Sequence, residues 1–255
     1  TWDEQRKCVG LFADFYEGKE VMLFPSEWLN RAEVTADALG SRPRKAKGIG
    51  VDPASGGDKT ALAAVDEFGL IELKAWQTPD TVVIPGEVLA FMRRHGVDAD
   101  RVCIDAGGGG KQHADRLRSQ GFPVRVIAFG ESLTMEPKRG MQMFDDRREV
   151  REGRAVYFNR RAELYGELAI LLDPASGKTF SIPREYNELR RQLSLITKQY
   201  DGEGRLKMIP KDRRNGSNEV TLKSILGCSP DEADALVLAV FAMHRKSSRV
   251  MAGAI

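Results

Sequence analysis

The stretch that most constrains this chain lies near its C-terminal end, where Asp234 is followed by eight consecutive apolar residues, Ala235 to Ala242. Ser229 is a favourable N-cap, Pro230 suits a first helical position, and Glu232 completes a capping box, so a helix is expected from Ser229 onward. A helix that is apolar all round has to be covered on every side. Asp231 is accounted for by the dipole at the helix start. Asp234 is not, because it lies beyond the first turn and is buried with the helix. A buried carboxylate is costly unless it is paired or bound to a metal. A buried ion pair and a metal ligand are the two readings of Asp234 that remain open.

The rest of the chain supplies layers to cover such a helix. Its 255 residues suffice for one large domain or a domain with an appendage. Residues 1 to about 40 read as helical, with Phe12, Phe15 and Tyr16 at helical spacing and a helix start at Pro25-Ser26-Glu27. Gly40 to Lys47 is poor in apolar residues and reads as a linker. Gly48–Asp52, Thr60–Asp66 and Leu70–Trp76 follow as three meandering strands. Then come a helix over Val82–Arg94, a strand over Arg101–Asp105, a glycine loop, a helix over Lys111–Ser119 and a strand over Pro123–Phe129. Helices are expected over Gln142–Arg151, Arg161–Leu172 and Glu185–Leu195, and a hairpin over Gln199–Ile209. The organisation read from this is a helical segment or linker over 1–46, an α/β domain over 47–244 and a tail over 245–255.

Composition narrows the class. Apolar residues make up 42% and charged residues 30%, and the formal net charge is +2. No apolar run approaches the roughly 18 residues that span a bilayer, and the polar start carries no signal-peptide pattern. Starting at Thr1 rather than Met suits a fragment or a processed chain. Cys8, Cys103 and Cys228 are far apart and odd in number, which suggests neither a zinc site nor a disulfide frame; a reducing cytoplasm is the natural setting. Basic residues cluster at Arg42–Lys47, at Arg147-Arg148 and at Lys211-Asp212-Arg213-Arg214, either as solvated faces or as phosphate contacts. Leu172-Asp173-Pro174-Ala175-Ser176-Gly177-Lys178-Thr179 ends like a phosphate loop, but Leu172 replaces its first glycine and Pro174 interrupts it.

Two further aspartates stand where an α/β sheet presents ligands. Asp52 ends the strand Gly48–Asp52 and Asp105 ends the strand Arg101–Asp105, and these strands are neighbours in the expected topology. Each alone could begin a turn. Together with Asp234 they form a set of carboxylates suited to phosphodiester hydrolysis, in which two divalent ions about 4 Å apart activate water and relieve charge on the leaving oxygen. Magnesium takes oxygen ligands and keeps several waters, so a few aspartates are sufficient.

At these residues the sequence resembles a known family. Val51-Asp52-Pro53-Ala54 with Gly57-Asp58-Lys59-Thr60, then Ile104-Asp105-Ala106-Gly107-Gly108, then Ser229-Pro230-Asp231-Glu232-Ala233-Asp234-Ala235-Leu236 are similar to the three acidic motifs of the nuclease domain of large terminase subunits of tailed bacteriophages. The resemblance covers about residues 48 to 244. It implies an RNase H-like α/β fold, with a mixed five-stranded sheet flanked by helices and a short helical N-terminal extension. It also implies a divalent-metal-dependent DNA endonuclease with two Mg²⁺ or Mn²⁺ ions held by Asp52, Asp105 and Asp234. Asp58 matches a position that assists in some members, and Asp231 falls where members vary; both are further candidate ligands. Lys59, Lys111, Lys211, Arg213 and Arg214 are candidate DNA-binding residues. A hairpin like that near Gly202, which precedes Lys211-Asp212-Arg213-Arg214, borders the DNA groove in the family, while the residues alone read equally well as an exposed loop. The implied partners are double-stranded DNA, a packaging ATPase domain, the portal and the small terminase subunit, in a host cytoplasm. The packaging ATPase precedes the nuclease in the family, so this chain resembles the nuclease without its motor.

Three rival readings stay open. One is a nuclease-like domain that only binds DNA, against which the full acidic set argues, because unused buried carboxylates would only cost stability. The last motif is also similar to Holliday-junction resolvases of the same fold, which prefer branched DNA. An actin-like or sugar-kinase-like ATPase has a related sheet whose first strand also ends in Asp, but needs a second phosphate loop and a duplicated domain.

Overall fold

The computed structural model describes residues 22–54, 58–133, 156–211 and 220–244. The helix expected over Gln142–Arg151, the helical run around Phe12 to Tyr16, and Arg213 and Arg214 lie outside the described residues.

The sheet is built as the strand pattern requires. Strands β1 (Gly48–Asp52), β2 (Lys59–Asp66) and β3 (Gly69–Gln77) form an antiparallel meander. Strands β4 (Val102–Asp105) and β5 (Arg125–Ile127) extend it in parallel from β1, giving the order β3-β2-β1-β4-β5. Parallel neighbours need a crossover, and α2 (Ile84–His95) and α3 (Gly110–Ser119) provide the two crossovers. Strand β5 is shorter than the expected Pro123–Phe129. Phe129 has already left the sheet, and its carbonyl accepts from the Arg161 N–H at 3.0 Å.

The period of two along the strands divides the core. Ile49, Val51, Val102 and Ile104 face α2 and α3 in one buried cluster. Cys103 and the alternate β2 residues Ala61, Ala63 and Val65 face the other cluster. That second face carries α1 (Ser26–Leu39), α4 (Arg160–Leu172), α5 (Asn187–Ser194) and α7 (Asp231–His244). Leu29 and Ala32 of α1 are part of the same core, and Glu33 of α1 accepts from Arg184 at 2.9 Å and from Arg190 at 2.5 Å. The stretch after α1 is also tied down. Arg44 forks onto Asp66 and donates to the carbonyls of Gly69 at 2.9 Å and Leu70 at 3.2 Å.

Helix α7 is covered from Asp231 to Ala242, where every residue is buried. It begins at Asp231, one residue after the expected first helical position Pro230, and Asp234, expected beyond the first turn, lies within it. Its Ala233 N–H is satisfied from α5, by Gln192 Oε1 at 3.0 Å. Glu232, expected to close a capping box, instead faces Lys59, Nζ to Oε1 3.8 Å. The helix lies against β1 at backbone distance because β1 has no side chains there. A Cβ on Gly50 would sit 2.0 Å from the Ala235 carbonyl oxygen, and one on Gly48 would sit 2.5 Å from that of Ala239.

The hairpin appears as β6 (Lys198–Tyr200) and β7 (Leu206–Met208), its turn closed by Asp201, whose Oδ1 accepts from the Glu203 and Arg205 N–H groups at 3.0 and 2.9 Å. A short helix not foreseen from the sequence, α6 (Leu222–Leu226), starts from a capping box of Thr221 and Ser224. The P-loop-like stretch is the end of α4 followed by a 3-10 turn over Pro174–Ser176, so it is not the strand-to-helix junction that cradles phosphate. Among the described residues no helix is long and apolar enough to cross a membrane.

Candidate metal centre

Asp52 and Asp105 end adjacent parallel strands in register, Val51 being paired with Ile104 one residue earlier. Since Val51 and Ile104 face α2 and α3, alternation turns both carboxylates to the opposite face, the one that α7 covers. The close approach of α7 to Gly50 sets the first turn of that helix over the ends of β1 and β4. Three elements far apart in sequence thus bring Asp52, Asp105, Asp231 and Asp234 together, all buried; Asp234 is 0% exposed and Asp52 4%.

The glycine loop after β4 fixes the two strand ends to each other. Gly108 has φ +58°, and a Cβ on it would lie 2.1 Å from the Pro53 carbonyl oxygen. A Cβ on Gly110 would lie 1.8 Å from the Asp105 carbonyl oxygen. Close backbone approach therefore explains these glycines without a bound phosphate. On the β2 side, Asp231 Oδ2 accepts from the Lys59 N–H at 3.0 Å, and Thr60 Oγ1 accepts from the Ala54 N–H at 3.1 Å.

Asp234 is paired, as the ion-pair reading expects. Its Oδ1 accepts from Tyr165 Oη at 2.6 Å and from Arg161 Nη2 at 3.2 Å. Its Oδ2 accepts from Lys211 Nζ at 3.1 Å. The same ammonium lies 3.6 Å from Asp52 Oδ2 and 3.8 Å from Asp231 Oδ1. Lys211, expected as a DNA contact, thus stands among the carboxylates. Asp231 belongs to this group as well, with contacts to Lys59 and Lys211 besides its place at the helix start. Asp58 stands apart at the rim, within 3.4 Å of Lys223 Nζ. Lys59 is half exposed beside Glu232, and Lys111 is exposed on α3.

Arg161 and Tyr165 were missed from the sequence, although a signal existed. Arg161, Leu164, Tyr165, Leu168 and Leu172 follow helical spacing along one stripe of α4, and all five are buried. An arginine within an apolar stripe calls for a buried anion.

The charges are unevenly matched: four carboxylates face two cations, Arg161 and Lys211. Burial pushes Asp52 well above the usual carboxylate range, with Lys211 pulling it back and the neighbouring aspartates adding to the rise. Burial pushes Asp105 up to about 6, and the charge on Asp234 adds to this. Burial also raises Asp231. For Asp234 burial acts in the same direction, but Arg161 and Lys211 outweigh it and hold the group below its ordinary value.

This donor set fits a divalent cation. It consists of carboxylate oxygens, the ligands of hard cations. Asp52 Oδ2 is buried with no hydrogen-bond partner, and the group already surrounds one positive charge. Among the described residues no three acidic, histidine or cysteine side chains converge closely enough to grip an ion as they stand; the Lys211 ammonium is between them.

The meander, the parallel extension from β1 and the helices on both faces define an RNase H-like α/β domain. The fold is similar to that of the nuclease domain of the large terminase subunit gp2 of bacterial virus Sf6, with a TM-score of 0.64 at 21% identity over 89% of this chain and 100% of that one. A mutant of the same domain with manganese gives 0.61 at 20% identity, over 88% of this chain and 100% of that one. The large terminase nuclease of thermophilic phage G20c is more distant, at 0.45 and 17% identity over 78% of this chain and 83% of that one. No protein-family model and no curated protein matches the chain.

Proposed function

We propose that this chain is a divalent-metal-dependent endonuclease that cuts double-stranded DNA during phage genome packaging. The observation that carries the reading is the buried carboxylate group at the ends of β1 and β4 under α7, with Asp52 Oδ2 left without a hydrogen bond among the described residues. Asp52, Asp105 and Asp234 would hold Mg²⁺ or Mn²⁺, with Asp231 at the edge of the group. Two such ions supply an activated water and charge relief on the leaving oxygen. The protein's own part is to fix the oxygens. The strand ends set Asp52 and Asp105 side by side, and α4 holds Asp234 from behind. Lys211 neutralises part of the group's charge in the absence of metal.

Cleavage would show little sequence preference, because no base-reading module is evident in the sequence. The half-exposed Lys59 and the exposed Lys111, with Arg213 and Arg214, are proposed to meet the DNA backbone. In this reading residues 1–46 connect to a packaging ATPase, residues 47–244 form the nuclease and residues 245–255 a tail. The portal and small terminase subunit are the further partners, in the host cytoplasm.

The test is plasmid cleavage. Purified chain with Mn²⁺ or Mg²⁺ is expected to give nicked and linear products, and EDTA to abolish them. Cleavage that persists under chelation, or cleavage of four-way junctions alone, contradicts the reading.

A further inference from the structure

Asp234 has two oxygens in different surroundings. Oδ1 receives two hydrogen bonds from α4, Tyr165 Oη at 2.6 Å and Arg161 Nη2 at 3.2 Å. A carboxylate oxygen has about two lone-pair sites, so Oδ1 has none left for another partner. Among the described residues the hydrogen-bond partner of Oδ2 is Lys211 Nζ, on the side of the carboxylate group.

The two cations also differ in how they are held. The Arg161 guanidinium is buried between the rings of Phe129 and Tyr165, with its carbon 5.5 Å from each centroid. Its backbone N–H is bonded to the Phe129 carbonyl. Lys211 follows the hairpin in a loop, and its side chain is 26% exposed. One cation is fixed behind the carboxylate; the other reaches it from the open side.

We propose that Arg161 and Tyr165 are positioning residues that clamp Asp234 Oδ1, so that α7 offers a single oriented oxygen, Oδ2, to the cation pocket. The proposal rests on the metal-centre reading above. Such a clamp limits Asp234 to one-oxygen ligation and removes the rotamer freedom that a ligand otherwise loses on binding. Partners behind a metal ligand typically change affinity by about 10- to 100-fold when removed. A purely structural ion pair would change stability and leave metal affinity in the folded protein untouched.

The experiment is a Mn²⁺ titration of the full chain, read from the electron paramagnetic resonance of free Mn²⁺, beside a thermal melt. The variants are Tyr165→Phe, Arg161→Lys and Arg161→Gln, plus Tyr165→Phe in an Asp234→Asn background. Tyr165→Phe is expected to weaken Mn²⁺ binding on the order of tenfold. Arg161→Lys should lose less than Arg161→Gln, because it keeps the positive charge behind Asp234. In the Asp234→Asn background Tyr165→Phe should cause no further loss. Lower melting temperatures with wild-type Mn²⁺ affinity overturn the clamp while leaving the metal centre intact, and an equal loss in the Asp234→Asn background overturns it too. Should Tyr165→Phe fail to fold, the Arg161→Lys and Arg161→Gln pair decides. If the wild-type chain binds no Mn²⁺, or binds it undiminished after Asp52→Asn, the metal-centre reading falls and the clamp with it.

Discussion

Asp234 and Asp105 belong to one buried carboxylate group, yet neutralising them is expected to move stability in opposite directions. Sequence patterning alone suggests that removing the Asp234 charge relieves repulsion among clustered carboxylates. The structure reverses that sign, because Arg161 and Lys211 hold Asp234 ionised and Asp234→Asn leaves the buried Arg161 without its anion. Breaking a buried pair from one side costs about 3–5 kcal/mol. Asp234→Asn is therefore expected to abolish cleavage and also to lower the metal-free melting temperature.

Asp105 behaves differently. Its folded-state pKa of about 6 lies above the ordinary 3.8, so its ionised form is the disfavoured one in the folded protein. Below about pH 4 the group is protonated in both states and costs nothing. The penalty grows as pH rises to about 6 and is constant above. Asp105→Asn is expected to raise the melting temperature in EDTA by roughly 5 °C at pH 7.5, with most of that gain gone at pH 4.5. Melts of wild type and variant at the two pH values check this; an equal offset at both would contradict it.

At the scale of elements, what brings the acidic groups together is the bare backbone of β1. Gly50→Ala would place a methyl 2.0 Å from the Ala235 carbonyl oxygen, so α7 must lift or β1 must shift. The expected cost is about 3 kcal/mol or more, accompanied by weakened Mn²⁺ binding because Asp231 and Asp234 travel with the helix. Gly86→Ala in α2 is the control. A Cβ there meets nothing within 4 Å, and the change should be neutral or stabilising by up to about 1 kcal/mol. Denaturant midpoints and Mn²⁺ titrations of the two variants distinguish a close-approach glycine from a tolerant one.

The same scale shows what the sequence made legible. Strand periodicity and the apolar run after Asp234 placed β1, β4 and α7, because each follows a local repeat. The strand-end aspartates followed from those elements. Arg161, Tyr165 and the place of Lys211 did not. The α4 residues are 73 and 69 positions from Asp234 in the chain, and no local pattern says which helix covers a buried acid. Lys211 sits in a basic run, which is usually a solvated face. Only the tertiary path of the hairpin turns its side chain inward. Helix α6 was overlooked because five residues give no periodicity to read.

For the whole molecule, a net charge of +2 gives little long-range attraction for DNA. Binding should rest on a few local phosphate contacts, each contributing about −0.9 to the log–log salt slope. Lys59→Ala and Lys111→Ala are each expected to reduce that slope by about one contact, measured by fluorescence anisotropy on duplex DNA across a salt series. An unchanged slope in both variants would remove them from the DNA path. Mn²⁺ binding is expected to be unchanged in both variants, since neither lysine is among the proposed metal-holding residues.

The central claim is that the group formed by Asp52, Asp105 and Asp234 holds divalent ions, and a crystal soaked in Mn²⁺ tests it most directly. Anomalous density is expected as two peaks about 4 Å apart, with Asp52 between them, Asp234 bound through Oδ2, and the Lys211 ammonium displaced from its 3.1 Å contact. A saturating soak that leaves Lys211 in place and shows no anomalous peak among these carboxylates would contradict the account, and would leave Asp234 as a buried ion pair alone.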